Sequence, residues 1–83
     1  MVVKVVKRKL GREGVAGLAH CGEETIEIDP RLRPHGGSKG MLGTHIHETI
    51  HILSPEMKEK EVVEWEDTIT EVLWKAGYRR TEQ

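Results

Sequence analysis

The sequence predicts an α+β domain: a small antiparallel three-stranded sheet followed by two antiparallel helices. Three observations carry that reading. The first third alternates short apolar runs with glycine-rich punctuation, the pattern of strands and turns. Leu42, Ile46, Ile50 and Leu53 then recur at spacings of four, four and three, which is one face of a helix. A second helical stripe follows in Val62, Trp65, Ile69, Val72, Leu73 and Ala76.

Taken in order, "MVVKVVKRKL" (1–10) reads as a strand, and "GREG" (11–14) as a turn by its two glycines. "VAGLAH" (15–20) is a second strand, with Gly17 weakening it or marking a bulge. "CGEE" turns the chain again. "TIEID" (25–29) alternates, with Ile26 and Ile28 on one face, and Pro30 ends it. Residues 30–40 read as a loop, with Ser38 as N-cap of the first helix. That helix closes at Ser54-Pro55, because a residue before proline disfavours the helical conformation. The second helix starts between Pro55 and Glu59 and ends at Gly77, a C-terminal cap. A short connection makes the two helices antiparallel neighbours.

With 83 residues the chain reads as one domain, 1–83. A core this small is marginal and gains from a staple such as a metal or a partner. Cys21 is the lone cysteine, so no disulfide forms within the chain. That usage points to a reducing compartment, and the expected location is cytoplasmic. No apolar run approaches a membrane span or a signal-peptide core. Net charge is −1. The basic residues Lys4, Lys7, Arg8, Lys9, Arg31, Arg33, Arg79 and Arg80 therefore read as solvated surface, and a nucleic-acid role is not expected.

Chemistry concentrates in "THIHETIHIL" (44–53). His47-Glu48-Thr49-Ile50-His51 is a full HExxH match. On a helix, residues four apart lie one turn above each other on nearly the same face, so the His47 and His51 imidazoles can converge on one ion. Glu48 is about 100° around the helix from His47 and is placed to reach a water rather than the ion. That is the arrangement of two zinc ligands and a general base. His45 projects to nearly the opposite side from His47 and reads as an exposed bystander. The two ligand histidines lie off the stripe Leu42/Ile46/Ile50/Leu53, so the stripe can bury against the sheet.

A catalytic zinc takes three protein ligands. The candidates for the third are His20, Cys21, His35 and the glutamates of the second helix. A helix starting near Lys58 places Glu66 level with His47, and its side chain leans back toward the pair. A start at Pro55 favours Glu61 instead. Glu66 is the preferred ligand and Glu61 the second choice.

These residues resemble a known group. "TIEIDPRL", "LGTHIHETIHIL" and "EDTITEVLWKAGYR" look like a minimal zincin metallopeptidase of the gluzincin kind. The chain is similar to small HExxH proteins of phages and mobile elements, and to SprT-like and ImmA/IrrE-like metallopeptidase domains. The resemblance implies zinc held by His47, His51 and Glu66, with Glu48 as catalytic base in peptide-bond hydrolysis. It also implies an extended peptide or protein substrate, held along the strand Thr25 to Asp29. The gap from His51 to Glu66 is shorter than in larger gluzincins, and there is no second lobe. The competing expectation is a non-catalytic binding module with a structural metal site. There Cys21 or a second carboxylate would close the tetrahedron.

Overall fold

The computed structural model describes residues 1–10, 15–29 and 37–79. The expected turn at 11–14, Pro30, Arg31, Arg33, His35 and Arg80 lie outside the described residues. Three strands, β1 (Lys4–Lys7), β2 (Gly17–His20) and β3 (Thr25–Ile28), precede two helices, α1 (Gly37–Leu53) and α2 (Glu59–Lys75). The α+β class and the element order are as the sequence predicts. No helix among the described residues is long and apolar enough to cross a membrane.

The sheet is mixed rather than antiparallel. Its order is β1-β3-β2, with β1 parallel to β3 and β2 antiparallel to it. Val5 pairs with Ile26 on one side, and Ala19 pairs with Ile26 on the other. The β2–β3 turn is tight, with Gly22 at φ 94° and a bond from Glu23 N–H to the His20 carbonyl. The chain from Lys7 to Gly17 is too long for a tight hairpin, and it carries β2 past the place of β3 to the far edge. Parallel pairing sets Arg8 beside Glu27, where they form an ion pair that His20 joins. The Leu10 N–H donates to buried Asp29 Oδ2 at 2.7 Å and closes this end of the sheet.

α1 is the central element. It packs on β2 and β3 on one side and on α2 on the other, and among the described residues α2 meets no strand. The apolar cluster is Ile26, Ile28 and Ile52, with Val3, Ala19 and Met41 against it. Ile52, not Leu53, therefore seats α1 on the sheet, and Leu53 is 64% exposed. A single predicted stripe cannot describe a helix that is packed on two sides. Ile50 is buried as expected.

α1 begins at Gly37, so Ser38 lies inside its first turn instead of capping it. It ends at Leu53, before Ser54-Pro55. α2 starts at Glu59 after an extended Lys58. Its end is the expected glycine cap: Gly77 sits at φ 94°, its N–H bonds to the Trp74 carbonyl, and the Tyr78 N–H bonds to that of Leu73. The face of α2 that packs is Val62, Glu66, Thr70 and Leu73. Trp65, Ile69, Val72 and Ala76 of the expected stripe are exposed.

Candidate metal centre

The HExxH residues occupy two adjacent faces of α1, as one turn of helix requires. His47 and His51 face the α2 side and Glu48 the sheet side. The two imidazole Nε2 atoms lie 3.2 Å apart. Both meet one carboxylate: Glu59 Oε1 is 2.7 Å from His47 Nε2, and Glu59 Oε2 is 3.0 Å from His51 Nε2. His47, His51 and Glu59 form the one group of three or more metal-type ligands among the described residues.

Glu59 is a residue the sequence reading passed over. It is the first residue of α2, and the short connection from Leu53 delivers it beside His51. Alignment of helix levels pointed further along, to Glu66 and Glu61. The missed signal is that a carboxylate at the first helical position leans back over the connection. Glu61 is exposed and outside the group.

Glu66 does reach the level of His47, but on the other side of the ring. Its Oε1 accepts a hydrogen bond from His47 Nδ1 at 2.8 Å. Its Oε2 lies over Gly43, where a Cβ would be 2.7 Å away. Beside it the buried Thr70 hydroxyl has no hydrogen-bond partner among the described residues. In this arrangement Glu66 orients the ring rather than sharing the ligand atoms with His47 and His51.

That geometry tests whether an ion fits. Donation from Nδ1 to Glu66 leaves the neutral His47 ring with a lone pair at Nε2. The lone pair then faces a carboxylate oxygen and the second imidazole nitrogen, a set that a divalent cation reconciles, as a second proton on the ring also would. At zinc–nitrogen distances near 2.05 Å, two ligands of a tetrahedron stand about 3.3 Å apart. The observed 3.2 Å between the Nε2 atoms matches that edge. A carboxylate on the far ring nitrogen is also the usual support of a histidine ligand. The residues present fit a divalent ion.

The carboxylates around the site shift two of its groups, and at His47 a proton would compete with an ion. Burial pulls the His47 imidazole down, but the Glu66 hydrogen bond and the charges of Glu48, Glu59 and Glu66 outweigh it, leaving its pKa raised. The Glu48 carboxyl is pushed up by burial. The His47 and His51 imidazoles oppose this, and Glu59 and Glu66 add to it, so its pKa is raised. Glu48 is half-buried because it sits where α1 meets β2: a Cβ on Gly17 would lie 3.0 Å from Glu48 Cγ. Gly17, Thr44, His47, Glu48 and Glu66 line a small open cleft.

The other candidates stand apart. His45 is half-buried rather than exposed, and its Nδ1 donates to the Met41 carbonyl at 2.8 Å. His20 is held by Glu27 on the sheet. The Cys21 thiol donates to the His51 carbonyl at 3.2 Å, and Cys21 is outside the converging group. The strand Thr25–Ile28 cannot accept an extended peptide, because β3 is central and paired on both sides. The strand beside Glu48 is β2, an edge of the sheet.

In comparisons with known proteins, no family model, no curated protein and no solved structure matches this chain.

Proposed function

We propose that the protein is a zinc-dependent peptidase in which His47, His51 and Glu59 hold the metal and Glu48 is the general base. The reading rests on one observation: both HExxH histidines turn Nε2 to a single carboxylate, while the glutamate between them sits half-buried beside an edge strand. When bound, the ion lowers the pKa of a water and polarises a carbonyl.

The chain's own residues supply the rest. Glu66 holds the His47 proton on Nδ1 and keeps Nε2 free as a ligand. Glu48 accepts the proton of the attacking water and later returns it to the leaving amine. Its partly desolvated carboxyl, with a raised pKa, suits a group that must both take and release a proton. The outer edge of β2 offers main-chain groups to an extended peptide, which would lie along the cleft at Gly17. A purely structural site has no use for a Glu48 aimed into the cleft, and the Cys21 thiol is turned to a backbone carbonyl instead.

Metal content and cleavage of an unstructured protein test the reading together. The wild type should carry stoichiometric zinc, which His51→Ala and Glu59→Ala lose. Glu48→Gln should keep zinc and lose cleavage by on the order of 10²–10⁴-fold, the usual worth of a general base. Zinc retained by Glu59→Ala but lost by Glu66→Ala would reinstate Glu66 as the ligand. Cleavage absent from the zinc-loaded wild type would remove the enzymatic reading and leave a structural site.

A further inference from the structure

We propose that α2 is the face on which two copies of this chain associate, its outer stripe packing antiparallel against the same stripe of the second copy. The inference does not depend on the metal centre. Trp65, Ile69 and Val72 recur at i, i+4 and i+7 on one stripe of α2, and are 54%, 37% and 62% exposed. The packed residues Val62, Glu66, Thr70 and Leu73 occupy the neighbouring face, against α1. Among the described residues no strand reaches α2. Three large apolar side chains in a row, one of them tryptophan, have the composition of an association surface rather than of a solvated helix face.

Charge selects the occupant. Glu61 and Glu64 flank the stripe toward the start of α2, and Lys75 flanks it on the same side at the end. All three are exposed. Arg79 lies just beyond the helix, stacked over Trp74. A parallel second copy, related by an axis along the seam, would put this charged flank opposite the α1-packed side of the other helix, where it meets no cation. An antiparallel copy, with its two-fold axis beside Ile69, sets each Glu64 against Lys75 of the other chain. Arg79 is turned to the side of α2 away from the stripe, so the Glu64–Lys75 pair carries the complementarity. Helix dipoles also oppose favourably in that arrangement. The contact is isologous, so a single patch suffices. The helix has 17 residues, a seam of about 25 Å. Glu59 and Glu66 lie roughly a quarter turn from the stripe, so association leaves the metal centre uncovered.

Sedimentation equilibrium of the full chain over a wide concentration range tests this, with circular dichroism to confirm that each variant is folded. The wild type should dimerise. Ile69→Glu should raise the dissociation constant by ~30-fold or more, the loss expected at the centre of an interface. Glu64→Lys and Lys75→Glu should each weaken association a few-fold. The double variant Glu64→Lys/Lys75→Glu should recover it, because each exchanged charge meets its opposite across the axis. Glu71 neighbours Lys75 on its own helix, so the readout is self-association and not stability. A monomer at every concentration overturns the proposal. So does a dimer indifferent to Ile69→Glu, or a double variant weaker than either single one.

Discussion

Gly43 offers a way to disturb the His47 ring without changing any residue that touches it. A methyl group there would lie 2.7 Å from Glu66 Oε2 and 3.4 Å from Thr70 Oγ1. The first distance is shorter than real contacts allow, so one side must yield. The Glu66 carboxylate ends a flexible side chain and moves more readily than either helix. A retreat to ordinary contact, about 0.7 Å, would stretch the 2.8 Å bond to His47 Nδ1 to the limit of hydrogen bonding. Loss of a hydrogen bond to a charged group costs about 1.5–3 kcal/mol, and the better helix propensity of alanine returns about 1 kcal/mol. The metal-free fold of Gly43→Ala should therefore lose only ~0.5–2 kcal/mol. Zinc affinity should fall more clearly, by ~10–100-fold, as when the support of a histidine ligand is removed. Competition against a chelating dye measures the affinity, and urea unfolding measures the stability. Glu66→Gln should show a similar affinity loss, and the double variant should add little to it. A folded Gly43→Ala protein that binds zinc within about twofold of the wild type would refute the assigned role of Glu66.

Three further outcomes follow from the packing. Gly17→Ala places a methyl 2.8 Å from Thr44 Cγ2 and 3.0 Å from Glu48 Cγ. It should cost ~1–3 kcal/mol of stability and reduce cleavage, and an unchanged urea midpoint would contradict the close seating of α1 on β2. Ile52→Ala should lose ~2–5 kcal/mol while Leu53→Ala stays within about 0.5 kcal/mol, and the reverse order would mean that α1 is rotated. The Glu27 carboxyl is held below its ordinary pKa, chiefly by its bond to Arg8 and then by that to His20. A depressed carboxylate pKa contributes stability above the ordinary glutamate pKa, and that contribution is lost as pH falls through the depressed value. Thermal melts of Glu27→Gln should therefore lack this part of the acid loss, and an unaltered acid limb would show the ion pair to be inert.

Periodicity identified the strands and helices because local backbone preference decides them. The Gly77 cap and the break at Ser54-Pro55 were legible for the same reason. Strand neighbours were not: alternation says which side chains share a face, and Ile26 alternates identically in either strand order. The length of chain between Lys7 and Gly17 was the clue to a skipped strand. The α2 stripe misled because hydrophobicity marks what avoids water, not what it meets. Trp65 and Val72 read as core and are exposed. His47, Glu48 and His51 were legible because four-residue spacing is a helix property. Glu59 was not, since its place depends on how five connecting residues, Ser54 to Lys58, turn the chain.

The isolation of α2 from the sheet has a mechanical consequence. Among the described residues, its contacts with other elements are all with α1: the Val62 side, the Lys39–Glu71 ion pair and the His47 and His51 contacts, beside a short connection. An ion shared between His47, His51 and Glu59 would act as a clasp at the hinge end of a two-helix jaw. Releasing it would loosen α2 while α1, Glu48 and β2 keep their seating. Amide exchange should then separate the molecule into a sheet-and-α1 body and a more readily opened α2 arm.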